Sequence, residues 1–214
     1  MNKKESPYNE LKEIRELMER SSRFLSLSGL SGISAGLVAI LGVVAAWYRI
    51  SLNKPQNIYT FYRGKIAYDL PDGTAFFITD AVVVLILAIG LAFLFTTLRT
   101  RKKGLKMWTR TSRRLLLSLM IPLITGGIFC YILLLYKLIF LIAPATLIFY
   151  GLALLNAGKY TLPEIQWLGV SEIVLGLVSS FTVGSGLLFW CIGFGFLHII
   201  YGAVMYFRYE AGNG

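Results

Sequence analysis

The sequence predicts an all-α, polytopic membrane helix bundle of about six transmembrane helices, with an N-terminal amphipathic cytoplasmic helix. Three observations carry this expectation. The 214 residues are 56% hydrophobic and only 15% charged, against about 25% charged in ordinary globular chains. The charges are crowded into the N-terminal segment and two loops, which leaves long stretches nearly free of them. Those stretches have the length a bilayer demands, since a rise of about 1.5 Å per residue across about 30 Å of hydrocarbon needs close to 20 apolar residues.

Residues 1–23 carry six basic and five acidic side chains. Leu11, Ile14 and Met18 recur at helical spacing, and Lys12–Glu16, Glu16–Arg20 and Glu19–Arg23 are pairs four residues apart, which together read as an amphipathic helix. Pro7 suits its first turn. A secretory signal does not begin this way, and the apolar stretch from Phe24 to Trp47 is long enough to remain as an anchor. The transmembrane domain then covers 24–207, with spans at 24–48, 75–98, 115–136, 138–156, 167–182 and 186–207, and a short cytoplasmic tail covers 208–214. Lys137 is the one charge between the third and fourth spans and marks a tight hairpin. Phe181 to Gly186 supply the turn between the last two. In the segment 49–74, Ile58–Tyr62 and Lys65–Leu70 flank Arg63-Gly64 and suit a small hairpin or cap.

With the N-terminus inside, the cytoplasmic side receives 16 Lys and Arg residues and the other side five, so both ends are expected in the cytoplasm. Trp47, Tyr48, Trp167, Tyr206 and Phe207 fall at span ends, as an aromatic belt requires. A net charge of +10 raises the question of nucleic acid, and its placement answers that question. Arg99, Arg101, Lys102, Lys103, Lys106, Arg110, Arg113 and Arg114 form an acid-free block between two apolar spans, with Trp108 its single aromatic. Such a block reads as a cytoplasmic loop against anionic lipid headgroups, and no nucleic acid is expected.

Ionisable residues inside a span are costly and are the default functional candidates. Asp80 stands near the outer start of the second span, where a helix's first turn favours a carboxylate. Glu172 and His198 lie 12 residues before and 14 after a turn centred on Gly184, so on antiparallel helices their depths differ by about 3 Å. The pair reads either as a structural tie between helices or as a polar site for a proton or small solute. Ser28, Gly32 and Gly36 recur every four residues and suit close helix packing, within one bundle or between two copies. Pro122 and Pro144 are expected to kink the third and fourth spans.

Cys130 and Cys191 lie in apolar spans, and one histidine with two distant cysteines makes no metal-ligand spacing, so neither metal nor cofactor is expected. Ser185 and His198 are 13 residues apart near one helix, about 20 Å by helical rise, too far for a nucleophile and its base. Nor is there a phosphate-binding loop, dinucleotide fingerprint or zinc-protease motif.

Two stretches resemble a family of small six-helix bacterial inner-membrane proteins with no established activity. They are Asn9-Glu10-Leu11-Lys12-Glu13-Ile14-Arg15 followed by Phe24-Leu25-Ser26-Leu27-Ser28-Gly29, and Leu197-His198-Ile199-Ile200-Tyr201-Gly202 with Tyr206-Phe207-Arg208-Tyr209-Glu210. The resemblance implies an inner-membrane location and carries over no functional residues. The function expected is that of a non-enzymatic scaffold, accessory subunit or regulator, working through helix packing and contact with a protein partner or a second copy. The alternative is a small transporter or channel with a polar site near Glu172 and His198.

Overall fold

The computed structural model describes residues 27–52, 73–104 and 107–211. These form six helices, with no strand among them: α1 (Gly29–Leu52), α2 (Gly73–Lys102), α3 (Arg110–Leu135), α4 (Ile142–Ala157), α5 (Pro163–Phe181) and α6 (Gly186–Tyr209). The amphipathic helix expected over 1–23, the hairpin or cap, Lys106 and the last three residues lie outside the described residues. Five stretches, Gly29–Leu52, Ala75–Lys102, Arg110–Leu135, Ile139–Tyr160 and Gly186–Tyr209, are long and apolar enough to cross a bilayer, as in a multi-pass membrane protein. The helix α5, 19 residues long, is more polar than these because it carries Glu164 and Glu172.

Helix ends follow local chemistry. Thr109 caps α3 in a reciprocal box with Ser112, so the helix starts at Arg110, five residues before the expected span. It ends in a Schellman arrangement: Leu138 N–H donates to Leu133 O at 2.8 Å and Lys137 N–H to Leu134 O at 3.1 Å. Lys137, at φ 60°, takes the left-handed position that a glycine usually fills. A 3-10 turn at Ile139–Leu141 then leads into α4. Pro144 is the third residue of α4, where its missing N–H breaks no helical bond, so it does not produce the expected mid-span kink. Pro122 lies inside α3, which continues through it. Pro163 opens α5 at its first position and places Glu164 in the first turn, four residues upstream of the expected span. Between α5 and α6 the chain turns at Thr182–Ser185, with Gly184 at φ 94°.

Helices α1, α4, α5 and α6 make the interior. The helix α1 lies between α2 and α6, α4 lies between α3 and α5, and α6 joins the two groups through α4 and α5. Leu154, Leu162, Ile165, Leu168 and Met205 form the buried apolar cluster. Flanking helices α2 and α3 bury only 11% and 6% of their apolar windows. Ile86, Phe93 and Ile121 face outward at 64%, 65% and 67% exposure, a surface suited to acyl chains rather than to water.

Glycine backbones set the closest helix contacts. A Cβ on Gly36 would stand 2.6 Å from Gly195 O, and one on Gly202 would stand 2.6 Å from Ile33 N, which fixes α1 against α6. Gly151 and Gly169 abut in the same way, since a Cβ on either would stand within 2.7 Å of the other's carbonyl oxygen, and they join α4 to α5.

Candidate functional site

The buried stripe of α5 runs through Glu164, Ile165, Leu168, Gly169, Glu172, Gly176 and Ser179, spaced to fall on one helix face. Three of these side chains are polar. Glu164, at the start of α5, accepts from Arg208 Nη1 at 2.9 Å and from the Tyr209 hydroxyl at 3.0 Å. Glu172, two turns further on, has 0% exposure, and neither carboxyl oxygen has a hydrogen-bond partner among the described residues. The buried Ser179 hydroxyl lacks one as well.

Glu172 meets α6 where that helix changes character. After Gly186–Trp190 the chain runs as a π-helix through Cys191–Leu197 before resuming α-geometry at His198. Such wide turns displace carbonyls and are often found at functional sites. Here the His198 ring nitrogen Nδ1 lies 3.0 Å from Gly193 O and 3.5 Å from Glu172 Oε1. Its other nitrogen, Nε2, lies 2.8 Å from the Tyr150 hydroxyl of α4. The Gly193 carbonyl can only accept, so Nδ1 carries a hydrogen and Nε2 is the position left to vary. Phe194 packs against both rings, with centroids 5.0 Å from Tyr150 and 5.9 Å from His198. Packing around the carboxyl is tight: a Cβ on Gly193 would lie 2.5 Å from Glu172 Oε2 and from Leu147 Cδ2.

Asp80 is the eighth residue of α2 rather than part of its first turn, because α2 begins at Gly73. It is half-buried, near Gly42 of α1, with Oδ2 3.6 Å from where a Cβ on Gly42 would stand. Helix-dipole capping therefore does not account for it.

The basic block divides. Arg101, Lys102, Lys103, Arg110, Arg113 and Arg114 are exposed, and all but Lys103 belong to helix ends rather than to a loop. Arg99 departs from the expected headgroup contact. It is buried in the last turn of α2, pairs with Glu210 at 3.0 Å, and donates to the backbone oxygens of Leu27 and, at 3.1 Å, Tyr209. A guanidinium offers several donors in fixed directions, which lets one side chain clasp three chain segments. Glu210 also accepts from Gly29 N–H and the Ser28 hydroxyl, so it caps α1. Ser28 is thus a polar contact at the mouth of α1, not part of the packing face that Gly32 and Gly36 present to α6. Just past α2, partial desolvation of the otherwise exposed Lys103, reinforced by the charge of Arg99 and partly offset by Glu210, holds its ammonium below the ordinary range.

Sequence reasoning named Glu172 and His198 but missed Tyr150, Gly193, Glu164 and Glu210. Glu164 had a signal, since proline followed by an acid marks a helix start. The others had none: Tyr150 and Glu210 meet partners 48 to 182 residues away, and Gly193 meets His198, five residues on, only through a carbonyl displaced by the π-helical turn. Comparison with protein-family models, curated proteins and solved structures found no match.

Proposed function

We propose that this chain is a six-span protein of the bacterial inner membrane, with both ends in the cytoplasm, that acts without enzymatic chemistry as a scaffold, accessory subunit or regulator. The observation that carries the reading is the glycine-to-backbone packing of α1 on α6 and of α4 on α5, which brings each of these helix pairs into backbone contact. Such packing suits a protein whose business lies on its outside, where α2 and α3 present broad apolar flanks to lipid or to a partner helix. The 19 residues of α5 reach about 28 Å, enough for a sixth crossing. Anionic headgroups lie against Arg101, Lys102, Lys103, Lys106, Arg110, Arg113 and Arg114.

The buried polar stripe of α5 favours a second reading, a small transporter or channel with its site at Glu172 and His198, since membrane acids facing a bundle's interior commonly mark a solute or ion path. The leading reading is tested with a photo-crosslinking residue at Ile86, Phe93 or Ile121, on the exposed flanks of α2 and α3, in native membranes. A discrete protein adduct, to another membrane protein or to a second copy, is the expected result. A chain that runs only at its own mass from all three positions contradicts partner contact through those flanks.

A further inference from the structure

A carboxyl group shut away from water must be compensated, because a bare buried carboxylate is among the most costly states a protein can hold. For Glu172 the surrounding elements offer little. Tyr150 faces the site from α4 and His198 from α6, while Cys191 lies on the same π-helical turn as Gly193. Glu164 is engaged by Arg208 and Tyr209, Tyr201 stands beside Ser171 at 3.3 Å, and Tyr48 and Arg49 sit near the far end of α1. Among the described residues the single nearby base is His198, and its Nδ1 hydrogen points to Gly193 O at 3.0 Å rather than to the carboxyl at 3.5 Å.

No group of three or more metal-ligating side chains occurs among the described residues, and at Gly193 even a methyl-sized group would strike Glu172 Oε2 and Leu147. From these contacts we infer that Glu172 is a proton-binding site, holding one exchangeable proton as a neutral carboxylic acid beside a neutral His198 imidazole. Tyr150 completes it. Its hydroxyl donates to bare Nε2 in this state, so both nitrogens of the neutral ring are engaged and the exchangeable proton stays on the carboxyl. The inference rests on the geometry of the site and holds whether the protein is a scaffold or a transporter.

Infrared spectroscopy of the full chain in phosphatidylcholine vesicles tests it directly. With glutamate ¹³C-labelled at the side-chain carboxyl, which excludes Asp80, a label-shifted carbonyl band of a protonated acid is expected at neutral pH. That band moves to lower frequency in D2O as the proton exchanges, and it is lost in Glu172→Gln. If Glu172→Gln does not fold, the labelled band must survive intact in both Glu164→Gln and Glu210→Gln. Absence of the band, a band that D2O leaves unmoved, or one that persists in folded Glu172→Gln overturns the inference. A partner-free protein that shows the exchanging band separates this result from the fate of the scaffold reading.

Discussion

The Tyr150 hydroxyl stands 2.8 Å from His198 Nε2, so a side chain of α4 orients the ring that α6 presents to Glu172 of α5. Three helices meet at one imidazole. Removing that hydroxyl leaves Nε2 unpaired in a tightly packed region, at a cost of about 1–3 kcal/mol. Tyr150→Phe should therefore lower the unfolding midpoint in detergent. Tyr131→Phe on the exposed flank of α3 should leave it unchanged.

Arg99 and Glu210 form the other buried polar junction, joining the end of α2 to the start of α1 and the end of α6. Glu210→Ala leaves a buried guanidinium without its counter-charge and uncaps α1, with an expected destabilisation of about 3–5 kcal/mol. Equilibrium unfolding in mixed micelles reads this loss. A change no larger than that of an exposed charge, such as Arg113→Ala, contradicts the clasp.

Glycine contacts make a graded prediction. Gly36→Ala puts a methyl against Gly195 O and should cost about 1–3 kcal/mol by overpacking. Gly90→Ala meets nothing within 4 Å and should be neutral or stabilising by up to about 1 kcal/mol, through the helix preference of alanine over glycine.

Replacing Arg110, Arg113 and Arg114 with glutamine should reduce the anionic lipid that copurifies with the protein, at about 1 kcal/mol of attraction per charge near a membrane surface. The ratio of retained phosphatidylglycerol to phosphatidylethanolamine measures it. Replacing buried Arg99 should lower stability while leaving that ratio unchanged.

How much of this was legible in the sequence depends on the range of each interaction. Local hydrophobicity gave positions close to those of the six helices, with Phe181–Gly186 marking the turn before α6 and Lys137 the hairpin before α4. Helix ends were less legible, because caps such as Thr109 and Pro163 extend helices past the last apolar residue into polar sequence. Arg99 looked like one member of a basic run because its partners, Leu27, Tyr209 and Glu210, are distant in the chain. The environment of Glu172 was hidden in the same way. The π-helical stretch at Cys191–Leu197 brings Gly193 O to His198, and no residue pattern announced it.

A bundle closed around its buried acid, admitting nothing larger than a proton, is tested by single cysteines at Glu172 and His198. The background lacks Cys130 and Cys191, and a small membrane-impermeant thiol reagent is applied from each side in turn. Protection of both positions from both sides, with labelling only after unfolding, is the predicted result. Ready labelling of either position in the folded protein contradicts it, and makes the Glu172–His198 site a water-filled path for a solute.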